Sequence, residues 1–83
     1  MEQVSEPVLI DVQGLRCPLP VLKTARRMSG MAAGTRVLVR TTDPLALIDV
    51  PHFCSENGHR LLAQRQDGDV TEFEIEKAGA AAT

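Results

Sequence analysis

The chain contains no tryptophan and no tyrosine, and its two aromatic residues are Phe53 and Phe73. That scarcity argues against a platform on which nucleic-acid bases stack. Positive charge is not in excess either. The formal net charge of −2 argues against affinity gained by neutralising phosphates. Cysteine is limited to Cys17 and Cys54, too sparse for the disulfide framework of a small secreted domain. No apolar run approaches the ~20 residues of a membrane-spanning helix. The opening Met1-Glu2-Gln3-Val4-Ser5-Glu6 is acidic and lacks the roughly 7–15-residue apolar stretch of a signal peptide. The expectation is a soluble cytoplasmic protein with no direct contact to nucleic acid or membrane.

With 83 residues there is room for one folded unit, expected to span 1–83 with a core over about 8–77 and flexible tails that include 78–83. A domain of this size buries only about 60% of the surface its unfolded chain exposes, so its core is thin.

Periodicity supplies the elements. Val8-Leu9-Ile10-Asp11-Val12, between Pro7 and Gly14, reads as a first strand, its apolar run suggesting a largely buried one. After Cys17, Val21, Leu22, Ala25 and Met28 recur at helical spacing opposite Lys23, Arg26 and Arg27, which predicts a helix over 18–29 opened by proline. Residues 35–41 alternate as a second strand. Thr42-Asp43-Pro44 caps a second helix reaching Asn57 and stopped by Gly58, its apolar set being Leu45, Leu47, Ile48, Val50, Phe53 and Cys54. Pro51 predicts a kink or restart there, with Asp49 capping the new turn. Strands over 60–66 and 70–76 flank Asp67-Gly68, a two-residue hairpin signal. The order β-α-β-α-β-β, with right-handed crossovers, gives an α+β fold: a two-layer sandwich of a four-stranded sheet with both helices on one face.

If the first two strands are parallel, Cys17 and the Thr41-Thr42-Asp43 turn share one rim of the sheet. Cys17 precedes a helix, whose unpaired N–H groups and dipole favour a thiolate over a thiol. Pro18 and Pro20 stiffen the turn, Gly14 supplies a backbone conformation that other residues disfavour, and Lys23, Arg26 and Arg27 add positive charge on the helix that follows, Lys23 being the nearest of the three in sequence. No histidine is placed as a paired base. His59 belongs at the opposite edge, and His52 approaches only if the Pro51 kink turns it. A cysteine hydrolase needs such a base, whereas thiolate attack on another sulfur does not.

The segment Asp11-Val12-Gln13-Gly14-Leu15-Arg16-Cys17-Pro18-Leu19-Pro20, with its Cys-Pro-x-Pro element, resembles the signature of the TusA (SirA-like) sulfur carriers. Thr42-Asp43-Pro44, Asp49-Val50-Pro51-His52-Phe53-Cys54, Gly58-His59 and Leu61-Leu62 are similar to that family's second half, so the likeness runs over residues 8 to 77. The resemblance implies a fold like the C-terminal domain of translation initiation factor three, with strand order 1-2-4-3 and the last strand antiparallel. It also implies that Cys17 accepts sulfur as a persulfide from a cysteine desulfurase or rhodanese-like donor and relays it to an acceptor of the DsrE or TusD type. End uses in the family include 2-thiouridine in transfer RNA, molybdenum cofactor supply and sulfur oxidation.

Other residues carry plainer readings. Cys54 suits core packing, and Asp43 suits a helix cap on the Cys17 rim. Arg16, Lys23, Arg26 and Arg27 form either a solvated helix face or a docking patch for an acidic partner. Cys17, His52, Cys54 and His59 fit no zinc spacing, and neither metal nor cofactor is expected. The protein is expected to be a monomer. Two rivals remain open: an adaptor domain that binds a partner through the Cys17 rim, and a thiol switch that forms a disulfide.

Overall fold

Val37 and Val39 point to one side of their strand and Arg36, Leu38 and Arg40 to the other, as a period of two requires. That alternation divides the whole fold. The computed structural model describes residues 6–79. Its elements are β1 (Val8–Asp11), α1 (Leu19–Ser29), β2 (Arg36–Thr41), α2 (Ala46–Asn57), β3 (Arg60–Asp67) and β4 (Val70–Glu76). The sheet order is β1-β2-β4-β3. β1 runs parallel to β2, and both other pairings are antiparallel, the arrangement that the resemblance implied.

One sheet face supplies Ile10, Val37, Val39, Phe73 and Ile75 to the core. Met28 of α1 and Ala46, Val50, Phe53 and Cys54 of α2 close over them. Both helices therefore cover the same face. The opposite face carries ion pairs: Arg40 to Glu72 at 2.9 Å, Arg65 to Glu72 and Glu74 at 3.1 Å each, and Arg36 to Glu74 at 3.3 Å. The hydrogen bond from Arg40, reinforced by Arg65, holds the Glu72 carboxyl below its ordinary range. Each such surface pair is worth about 0–1 kcal/mol, so the core carries most of the stability.

Several local expectations change. β1 is an edge strand over one open face, so Leu9 is exposed and the largely buried strand is not found. On α1 the buried side chains are Pro20, Thr24 and Met28, while Leu22 is 57% exposed. On α2 Ala46 is buried, and Leu45 and Ile48 face outward. α2 is a single helix with Pro51 inside it and no restart at Asp49. The hairpin turn is Gly68-Asp69, one residue later than Asp67-Gly68, because Asp67 still pairs with Val70. Gly68 has φ +62° and Asp69 a negative φ, the sign pattern of a type II′ turn with glycine first.

Gly58, at φ +74°, ends α2 in the left-handed cap expected of it. His59 then turns inward. Its ring packs on Phe53 with centroids 5.2 Å apart, and its Nδ1 accepts the Ala78 N–H at 2.9 Å. Ala78 is thus tied down. Gly79 is exposed, and residues 80–83 of the expected flexible tail lie outside the described residues, as do residues 1–5. Among the described residues no helix is long and apolar enough to cross a membrane.

Two outcomes follow from this packing. Phe73→Ala, at a fully buried position, lowers unfolding free energy by about 3–5 kcal/mol in a urea titration. Burial, followed by the charge of Lys77, holds His59 below its ordinary value. The neutral ring therefore favours the fold above its unfolded pKa, and that contribution is lost as acid protonates the acceptor. Between about pH 7 and pH 5 the urea midpoint falls further in the wild type than in His59→Gln.

Candidate functional site

The parallel pairing of β1 with β2 brings two loops to one edge of the sheet. Leaving β1, Val12 donates its N–H to the Arg40 carbonyl at 2.9 Å. The chain then turns at Gln13-Gly14, where Gly14 has φ +84° and donates its N–H to Thr42 Oγ1 at 2.9 Å. A Cβ on Gly14 meets nothing within 4 Å. The demand for glycine is thus one of backbone angle rather than space.

The loop ends at Cys17, whose N–H donates to Asp43 Oδ2 at 2.6 Å. Asp43 Oδ1 accepts the Leu45 N–H at 3.2 Å, so a single carboxylate holds the Cys17 loop and the turn into α2. The capping role expected of Asp43 is present in altered form, because the helix proper starts later, at Ala46. Arg16 is exposed and its carbonyl accepts the Leu19 N–H at 2.8 Å. The Cys17–Pro18 peptide is cis. Pro18 lines the cysteine's depression, and Pro20 is buried in the first turn of α1.

Cys17 itself is exposed, and its thiol donates to Asp49 Oδ2 at 2.9 Å. The hydrogen bond to Asp49 holds the thiol above its ordinary value. Desolvation and the negative charges of Asp49 and Asp43 act the same way. This reverses the expectation of a thiolate favoured by the helix. Pro18 and Pro20 have no N–H and that of Leu19 is already bound, so little of the helix N-terminus is free to stabilise an anion.

Lys23 does not offset the acidic neighbours. With Arg26 and Arg27 it lines a separate open groove walled by Leu15, Leu19 and Leu22. The depression at Cys17 is formed instead by Val21, Leu22, Asp49, His52, Phe53 and Glu56. His52 thus reaches the cysteine's depression from an unbroken helix, where its Nε2 lies 3.2 Å from Glu56 Oε2. Of the seven residues that sequence nominates, Gly14, Arg16, Cys17 and Pro18 lie on the loop after β1, Pro20 in the first turn of α1, and Asp43 in the turn after β2, hydrogen-bonded to that loop. The structure leaves Lys23 aside. Asp49 was not nominated for the site, although it stands two residues before Pro51 in the segment that the sequence marks as unusual.

Cys54 lies buried in the core, and burial pushes its thiol up to about 11. Both cysteines are free. Among the described residues, no three histidine, cysteine or acidic side chains are grouped so as to share a metal ion.

Asp43 links two backbone donors from different loops, so its truncation releases both. Asp43→Ala is expected to lower unfolding free energy by about 1–2 kcal/mol. Deuterium exchange then quickens at the Cys17 and Leu45 amides and not in β4.

Residues 8–77 match the family described as Sulfurtransferase TusA. The Sulfur carrier protein TusA of Pseudomonas putida is 35% identical over 77 residues, 93% of this chain and 96% of that protein. The Putative sulfur carrier protein YrkI of Bacillus subtilis is 35% identical over 69 residues, 83% of this chain and 92% of that one. A second Bacillus subtilis relative, the Putative sulfur carrier protein YrkF, is 29% identical over 72 residues, which cover 87% of this chain and 39% of the relative. An exposed cysteine at the rim of this fold thus stands within a chain that matches over nearly its whole length, and the chain belongs to the TusA family.

Proposed function

We propose that this protein is a sulfur carrier that accepts sulfur on Cys17 as a persulfide and passes it to an acceptor protein. The observation that carries the reading is the contrast between the two cysteines. Cys17 is exposed on the rim, whereas Cys54 is sealed in the core with its thiol pushed up to about 11. Only the first is accessible to another protein's sulfur. Membership of the TusA family supports the same assignment.

The chemistry is thiol–persulfide exchange. Ionised Cys17 Sγ attacks the outer sulfur of the donor's persulfide, a new S–S bond forms, and the donor's own S–S bond breaks with its electron pair leaving on the donor thiolate. Delivery is the same exchange run onto the acceptor's thiolate. One sulfur atom moves and no net oxidation occurs. Gly14, Pro18, Pro20 and Asp43 support the step by shaping the loop, and Arg16 stands exposed beside the cysteine, free to meet a partner. The donor is a cysteine desulfurase or a rhodanese-like protein, and the acceptor is of the DsrE or TusD type. The sulfur is destined for transfer RNA thiolation, molybdenum cofactor supply or sulfur oxidation.

Intact mass after incubation with a cysteine desulfurase and free cysteine checks the reading. The wild type is expected to gain one sulfur atom that reductant removes, and Cys17→Ser to gain none while keeping its fold. A gain that persists in Cys17→Ser, or is absent from both, counts against it.

A further inference from the structure

The thiol proposed to carry sulfur is hydrogen-bonded to a carboxylate, an arrangement that works against the ionised form that exchange requires. Two carboxylates stand against Cys17: Asp49, which accepts from its thiol at 2.9 Å, and Asp43, which accepts from its backbone N–H at 2.6 Å. Arg16, adjacent in sequence, is exposed and does not line the cysteine's depression, and the helix cations Lys23, Arg26 and Arg27 open onto a groove that shares only Leu22 with it. His52 lies in the cysteine's own depression, but its Nε2 faces Glu56.

We propose that Asp49 is a positioning residue that keeps Cys17 as an unreactive, hydrogen-bonded thiol while the carrier is empty, and that a positively charged side chain of the docking sulfur donor must draw Asp49 away to release it.

This inference rests on the carrier reading and explains how an exposed cysteine escapes stray electrophiles between encounters. A thiol donating to a carboxylate is stable as a thiol, because its ionisation removes the donor and sets two negative charges in contact. A cation placed at the Asp43–Asp49 rim reverses both effects: it pairs with the carboxylate and favours the thiolate electrostatically. The proton passes from Sγ to water, and the thiolate then attacks the donor's outer sulfur as above.

Asp49 can leave Cys17 without displacement of its helix. Pro51 cannot donate to the Leu47 carbonyl, so the turn that bears Asp49 lacks one of its backbone bonds. Ile48 beside Asp49 is 69% exposed. Ala46 and Val50 anchor the other side of this turn in the core, so Asp49 leaves Cys17 by a change of side-chain rotamer while the helix stays in place.

The test uses three small reagents on the intact protein: neutral iodoacetamide, and cationic and anionic methanethiosulfonates, with the labelled residue located by mass. In the wild type Cys17 is expected to react several-fold faster with the cationic than with the anionic thiosulfonate. Asp49→Asn is expected to react several-fold faster with iodoacetamide at neutral pH, to shift its rate–pH profile to lower pH, and to shrink the cationic preference. Asp49→Glu restores wild-type behaviour. Asp49→Ser repeats the measurement with a smaller side chain, and protection of buried Cys54 from label reports that each variant is folded. An iodoacetamide rate or pH profile unchanged in both Asn and Ser variants overturns the proposal. Because these rates need no bound sulfur, that outcome leaves the carrier reading intact. Conversely, a failure of desulfurase loading leaves these rates as they are.

Discussion

Four residues of β1 lie parallel to β2, with Val8 opposite Val37 and Asp11 opposite Arg40, and the site depends on that short pairing. Parallel strands end at the same edge, so the loop after β1 and the turn after β2 meet although they are far apart along the chain. The Asp43 carboxylate then joins them by accepting from Cys17 and Leu45 at once. A hydrogen bond to an ionised acceptor is stronger than one between neutral groups, and this one fixes the backbone of the cysteine itself. Gly14 and Thr42 make a second tie across the same gap.

The two faces of the sheet divide the remaining work. Helices seal one face with a thin core centred on Phe73, Ile10 and Ile75. Arginine and glutamate cover the other with paired charges, which keep it wetted without contributing much stability. Cys17 lies on neither face but at the rim between β1 and α1. There the exposed apolar side chains Leu19 and Leu22 adjoin basic residues on one side, and Leu22 also borders the acidic surroundings of Cys17 on the other. A partner that covers both meets opposite charges within one footprint.

Electrostatics at the cysteine run opposite to the usual argument for a residue before a helix. Two prolines remove N–H donors from the start of the helix, and those of Leu19 and Leu22 are bound to the Arg16 and Pro18 carbonyls. With the helix contribution reduced, the Asp49 hydrogen bond decides the direction and favours the thiol. The exposed cysteine is consequently held as a hydrogen-bonded thiol.

Much of this was legible from the residues alone. Element order, the Gly58 stop, the turn at Gly14 and the rim shared by Cys17 and Asp43 are local patterns or follow from the handedness of crossovers, which adjacent residues encode. The outward turn of Leu22 and Ile48, the exposure of Leu9, and the unbroken helix through Pro51 depend on where two helices leave the sheet uncovered, and periodicity carries no such information. The pairing of Cys17 with Asp49 joins residues 32 positions apart. By itself the sequence determined which cysteine stands on a loop at the sheet's edge, because turns and strand ends are written in neighbouring residues. Only the tertiary structure decided the charge that this cysteine meets, because electrostatic influence falls with distance through space and not along the chain.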